Sequence, residues 1–113
     1  MVVLAEENTE ILGYVSIIEH NKNHVVQIGE YNVPGGFFLD NLFIRPSHIR
    51  RKGIGKRLID IALEWCREKQ INVLNVYSDP NAKGFYEKMG AVCLGEIISG
   101  DVGRPLPFLV FKL

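Results

Sequence analysis

The sequence predicts an α/β fold: a mixed, mostly antiparallel sheet with the element order βββ-α-β-α-ββ. Three observations predict it. Runs of β-branched and aromatic residues recur at Val2–Ala5, Ile11–Glu19 and Phe37–Ile44, separated by polar or Gly/Pro-containing links. A long stretch after Gly53 then repeats its apolar residues at helical spacing. Beyond it, an apolar run, a short helical pattern and two more runs complete the chain as strand, helix, strand, strand. With 113 residues, 47% of them hydrophobic, the chain is read as one domain over 1–113 with a core of its own.

The first three strands are expected to form an antiparallel meander. Val2–Ala5 ends in the polar turn Glu6–Glu10, and Gly13 inside the second run signals a bulge or close backbone packing. His20–Gly36 is polar, with a short strand at Val25–Ile28 and a turn at Val33–Gly36. Pro46 cannot donate a ladder hydrogen bond and halts Phe37–Ile44. In the helix, Ile54, Leu58, Ile61, Ala62 and Trp65 make the apolar face; Lys56, Asp60, Glu64, Arg67 and Glu68 make the polar one. Ile71–Tyr77 is a strand. Asp79 then reads as an N-cap with Pro80 at the first helical position. Ala82, Phe85, Tyr86 and Met89 recur at helical spacing, and Gly90 suits the residue after a helix. Val92–Ile98 and Phe108–Lys112 are the last strands, joined by the loop Ser99–Pro107.

Composition narrows the function classes. The formal net charge is zero, which argues against non-specific nucleic-acid binding, since that needs a broad basic face, and no nucleic acid is expected as a partner. No stretch approaches the ~20 apolar residues of a membrane span, and no charged-then-apolar leader is read, so a cytoplasmic protein without a membrane partner is expected. Cys66 and Cys93 lack paired spacing and are expected as buried thiols in a reducing compartment. His20, His24 and His48 are expected at the surface, without metal-ligand spacing, so no metal is expected.

Within this neutral chain the positive charge is concentrated. Arg45, Arg50, Arg51, Lys52, Lys56 and Arg57 fall between positions 45 and 57 with no acid among them. They flank Gly53-Ile54-Gly55, which opens the long helix. A helix start offers unpaired N–H groups and the positive end of the macrodipole to a phosphate. Residues without a Cβ let a pyrophosphate come close to the backbone. The nucleotidase phosphate loop is excluded because Gly55 is followed by Lys56-Arg57, not Lys-Ser/Thr. The dinucleotide fingerprint is excluded because Leu58 stands where its third glycine belongs. A solvated basic turn before a helix is the competing reading.

The order Leu39–Arg45, Pro46, Arg50-x-x-Gly53-x-Gly55 and then an amphipathic helix resembles the acyl-CoA motif of the GCN5-related N-acetyltransferases. A second match runs from Tyr77 to Ala91, where Ala82, Phe85-Tyr86 and Gly90 stand at the family's offsets. The resemblance covers 39–91 in detail and the whole chain in outline. It implies an acyl-CoA N-acyltransferase-like fold, acetyl-CoA as cosubstrate, and a small-molecule or peptide amine as acceptor. It further implies that Leu42, Phe43, Ile44, Arg50, Arg51, Lys52, Gly53, Ile54, Gly55, Lys56, Arg57, Asn81, Lys83 and Tyr86 bind the donor. Three departures are noted. The family usually begins with a strand and two helices before the meander, the loop from Ile44 to Arg50 is one residue longer, and Asp79 stands where the family often has Asn. The first leaves three readings open: a minimal member, a dimer partner or ligand that completes the acceptor site, or an unusually open acceptor pocket. A partner subunit would use an apolar face near Phe37–Leu42 and Val102–Phe108.

Acetyl transfer to an amine sets chemical demands that these residues can be matched to. An alkyl amine of pKa ~10.4 must lose a proton before it attacks, and the thioester carbonyl needs a hydrogen-bond donor. No covalent nucleophile is needed. The resemblance puts Tyr86 beside the CoA sulfur as the acid for the leaving thiolate; a core Tyr is the competing reading. It also puts an acid at Asp40, four residues before Ile44. Alternation would place the two on one face unless a bulge intervenes, and an exposed strand-end Asp competes with the general base. Glu19 and Glu30 are alternatives. Splaying beside Ile71–Tyr77 would free the backbone N–H of Phe43 or Ile44 for the carbonyl. In the final loop Arg104 would suit a carboxylate-bearing acceptor. A CoA-binding regulatory module without turnover is the rival from another class.

Overall fold

The computed structural model describes residues 1–20, 25–28, 31–46, 53–98 and 105–113, with the backbone alone at 25–28, 31–34 and 98. Strands β1 (Val2–Glu7), β2 (Glu10–Glu19) and β5 (Phe37–Ile44) form the expected antiparallel meander. Between β2 and β5 a separate hairpin pairs β3 (Val25–Ile28) with β4 (Tyr31–Pro34). The reading of Val33–Gly36 as a turn missed β4. Pro34 ends a strand of a two-stranded sheet, where a missing N–H leaves no ladder bond unmade.

Helix α1 (Ile54–Glu68) then crosses to β6 (Val73–Tyr77), which lies parallel to β5. A single 3₁₀ turn (Pro80–Ala82) leads into α2 (Lys83–Lys88), then β7 (Val92–Ile98) and β8 (Pro105–Lys112). The six-stranded order is β1-β2-β5-β6-β8-β7, so the last strand slots between β6 and β7. It begins three residues earlier than Phe108. Pro105 and Pro107 are tolerated there because they face only β7 in the ladder, and the Pro107 carbonyl accepts from the Ser78 N–H at 2.9 Å.

Local chemistry explains the helix ends. Asp79 accepts from the Asn81 N–H at 2.8 Å, as an N-cap should, though what it caps is the 3₁₀ turn. Both helices end in a Schellman motif. Gly90 N–H meets Glu87 and Ala91 N–H meets Tyr86; Gln70 N–H meets Arg67 and Ile71 N–H meets Cys66. The left-handed residue is Gly90 (φ 104°) in one and Gln70 (φ 60°) in the other.

The core lies on two faces of the sheet. On the inner face α1 and α2 cover Val15, Ile17, Leu39, Leu74, Val76, Leu109 and Phe111. The α1 stripe is Ile54, Leu58, Ile59, Ala62, Leu63 and Cys66, which corrects the expected one: Ile61 is 41% exposed and Trp65 half-buried. Apolar residues at 58, 59, 61, 62 and 63 surround the helix axis on more than one side, so spacing alone left the stripe's centre open. On the outer face Phe38, Phe108 and Val110 form a second cluster with Tyr77, Leu94 and Ile97 against it. Phe38, Leu39 and Phe108 are therefore buried, and the exposed apolar face expected near Phe37–Leu42 and Val102–Phe108 is not found at these three residues; positions 102–104 lie outside the described residues. His20 is likewise half-buried, its ring 4.7 Å from that of Phe38. Cys66 is buried as expected and its thiol is pushed up by burial, whereas Cys93 is half-buried. Gly13 packs closely: a Cβ there would run into the Phe43 carbonyl oxygen. Among the described residues no helix is long and apolar enough to cross a membrane.

Candidate active site

Strands β5 and β6 run side by side for three pairs, ending at Leu39 and Val76, and then part. At that point β5 carries a bulge. Ser16 faces Asn41 while Ile17 faces Leu39, so Asp40 is the extra residue. The result is a fork whose one arm is the last half of β5. Its open side can be read from the ladder. Arg45 N–H donates to the Leu12 carbonyl at 2.7 Å, so by alternation Phe43 and Asn41 also bond towards β2. The N–H groups of Leu42 and Ile44 therefore face the fork. Of the two donors expected for a carbonyl, the Ile44 N–H faces the fork and the Phe43 N–H is engaged with β2.

The start of α1 closes the fork from the helix side. Gly53 is its N-cap at φ 60°, a left-handed conformation that suits a residue without Cβ. Among the described residues no side chain caps this end, and no acid lies in the first turn, although Arg57 N–H already reaches the Gly53 carbonyl at 3.0 Å. The N–H groups of Ile54, Gly55 and Lys56 thus remain for an anion. Leu42, Phe43, Ile44, Gly53, Gly55, Lys56 and Asn81 line a cavity of about 510 Å³ together with Ala82 and Phe85. The motif reading noted Ala82 and Phe85 but gave them no site role; their helical spacing with Tyr86 was the available signal.

Other expected residues lie elsewhere. Arg57 lines a separate groove against β1, with Val3, Leu58 and Ile61. Ile54 is buried in the core and offers only its backbone. Lys83, half-buried at the start of α2, does not line the cavity. Arg45 Nε donates to the Ile11 carbonyl at 3.1 Å, and Arg45 does not line the cavity. Lys56 is exposed and pairs with Asp60 at 3.3 Å, a surface contact that holds little energy and leaves its charge usable. Arg50, Arg51, Lys52, Arg104, Glu30, His24 and His48 lie outside the described residues.

Tyr86 stands directly behind Phe85, 6% exposed, with its ring against Phe85 and Phe111. Burial pushes its phenol up to about 12. The residue is thus a core member by packing, and it is not among the cavity's lining residues. Asp40 is exposed, and Asn41 Nδ2 donates to its carboxylate at 3.1 Å. The bulge breaks alternation between Asp40 and Ile44, so the same-face condition fails: Ile44 packs inward on the main core, while Asp40 meets the outward Asn41. Glu19 is exposed at the far end of β2, opposite Phe37.

A sequence model of the acetyltransferase (GNAT) family matches residues 1–91. The peptidyl-lysine N-acetyltransferase YjaB of Salmonella typhimurium strain LT2 is 37% identical over 90 residues, covering 74% of this chain and 60% of that protein. The YjaB enzyme of Escherichia coli K12 is 33% identical over 111 residues, covering 93% of this chain and 74% of that one. The chain thus spans roughly three fifths to three quarters of these relatives. In three dimensions it superposes on an aminoglycoside 6'-N-acetyltransferase complexed with coenzyme A, with TM-score 0.74 at 17% identity over 98% of this chain and 71% of that one.

Proposed function

This chain belongs to the acetyltransferase (GNAT) family, and on that premise we propose that it moves an acetyl group from acetyl-CoA to a primary amine by direct attack. The observation that carries the reading is the fork. The cavity between β5, the start of α1 and α2 joins the fork-facing N–H groups of Leu42 and Ile44 to the uncapped helix end at Gly53–Lys56. A long thin ligand with a phosphate-bearing end and a carbonyl at the other fits that chemistry. The pyrophosphate would take the helix N–H groups, with Lys56 and Asn81 at the rim, and the pantetheine arm would pair with the free edge of β5. The thioester carbonyl would accept from Ile44 N–H, which stabilises the tetrahedral oxyanion.

Tyr86 would serve the leaving sulfur. A phenol at about 12 stays neutral at pH 7. Proton transfer to a thiolate whose acid is near ~8.5 would be uphill by roughly 5 kcal/mol. Its role is therefore to donate a hydrogen bond to the developing thiolate. Asp40 would take the proton from the amine, directly or through water. The naming of the YjaB relatives supports a lysine side chain in a peptide as acceptor. The free cysteines Cys66 and Cys93 fit the cytoplasm as compartment.

The test is calorimetric titration with acetyl-CoA, followed by CoA release with lysine peptides and free amines. Binding with turnover on one acceptor supports the proposal. Binding without turnover on any amine would instead favour a CoA-binding regulatory module, and no binding would end both.

A further inference from the structure

Resting on the acetyl-transfer reading, we infer that Tyr77 binds the acceptor amine, its phenol oxygen accepting a hydrogen bond from the attacking nitrogen on the outer face of the sheet. The register makes the argument. The last parallel pair is Leu39 with Val76, so Asp40 and Tyr77 are the first residues past the fork's apex, one on each arm. Leu42 and Ile44 pack inward on the core under α1, and the start of α1 shares their cavity. A thioester held there has helices on its inner side, which leaves the outer face to the amine.

Both apex residues lie on that outer face. Tyr77 stacks on Phe38 at 5.5 Å and 16° and tilts against Phe108 at 5.1 Å, both outer-face residues. Asn41 alternates with Phe43, whose ring meets the outward Tyr14 at 5.7 Å, and Asn41 holds the Asp40 carboxylate. Among the described residues no hydrogen bond engages the Tyr77 hydroxyl. Its ring is fixed by two aromatic neighbours, which lowers the entropy lost when the oxygen is used. Burial raises the phenol, so it remains an O–H whose lone pair can accept from an amine or ammonium. The apex thus offers a carboxylate for charge and a fixed neutral acceptor for direction.

The experiment uses a conjugate of CoA joined through an acetyl spacer to the side chain of a lysine peptide, titrated alongside CoA itself. Wild type should bind the conjugate about tenfold or more tightly than CoA, because the conjugate's amide N–H, which stands where the amine nitrogen would be, adds a hydrogen bond to the Tyr77 oxygen. Tyr77→Phe keeps the ring stack and removes one oxygen. It should hold CoA within about twofold of wild type and lose most of that gain. In wild type, the Tyr77 ring carbon that bears the hydroxyl should shift in carbon-13 spectra with the conjugate and not with CoA, a readout that needs no variant to fold. A gain retained in Tyr77→Phe, no gain in wild type, or an unmoved resonance overturns the inference. Failure of both CoA and conjugate to bind removes the acetyl-transfer reading and this inference with it.

Discussion

The Cδ1 atom of Ile44 sits 2.8 Å from where a Cβ on Gly55 would project, so the end of β5 and the start of α1 meet through the one residue that leaves room. Phe85 lies 3.4 Å from the same point, and all three residues line the cavity proposed for the donor. Gly55 is therefore required by the protein's own packing as well as by a phosphate's approach. Gly55→Ala should push Ile44 and narrow the cavity, weakening acetyl-CoA binding by roughly tenfold with a modest fall in Tm. Adding Ile44→Val removes Cδ1 and should restore most of the affinity. Calorimetry on the two single variants and the double one checks this. A Gly55→Ala protein that binds as wild type would sink it.

Tyr86 gives a prediction in two pH ranges. Loss of its hydroxyl in Tyr86→Phe should lower kcat by roughly 10²–10³ at saturating substrates, the size expected for one donor to a developing charge. The acetyl-CoA Kd should stay nearly unchanged. The phenol is raised to about 12 from 10 in the fold, so the folded state holds this proton more firmly than the unfolded chain. Its contribution to stability is whole below pH 10 and is lost as pH rises through 12, about 2–3 kcal/mol in all. Denaturant melts of wild type should weaken across that range more than those of Tyr86→Phe. Equal pH dependence would mean that the phenol is not buried as described.

Gln70 offers a test independent of the chemistry. It occupies at φ 60° the Schellman position that Gly90 fills at the end of α2. A side chain in that conformation costs about 1 kcal/mol, part of which glycine returns in unfolded-state entropy. Gln70→Gly should raise stability by about 0.5–1 kcal/mol and leave acetyl-CoA binding alone. Thermal melts decide it; a lower Tm would show that Gln70 makes a contact that offsets its backbone cost.

Much of the cavity proposed for the donor was legible in the sequence because it is built from backbone. Glycines at 53 and 55, the halt at Pro46 and the Asp79 cap are local signals, and local signals fixed where strand, helix start and second helix would meet. What escaped depends on pairing partners. The bulge at Asp40 is visible only as a shift between Ser16 and Ile17 on another strand, and it decides which face the candidate base shares. The insertion of β8 between β6 and β7 follows from sheet order, which no single segment encodes. Tyr77 was read as the last residue of a strand; its place at the fork's apex exists only in the register with β5.

That register also sets the sharpest expectation for Asp40. An acceptor amine of pKa ~10.4 is nucleophilic in only about one part in a thousand at pH 7.4, so a base matters there and matters less as the solvent deprotonates the amine. Asp40, the extra residue at the apex, is held by Asn41 on the face left open to the acceptor. Asp40→Asn keeps the size and the bulge but removes the charge. It should reduce kcat/KM for the amine by roughly 10²-fold at pH 7, with the deficit shrinking to about threefold near pH 9.5. That upper pH stays below the range where Tyr86 begins to cost stability. Glu19→Gln, at the opposite end of β2, should change neither value. A deficit of equal size at both pH values would make Asp40 a binding group for the ammonium. No deficit at pH 7 would remove it from the reaction.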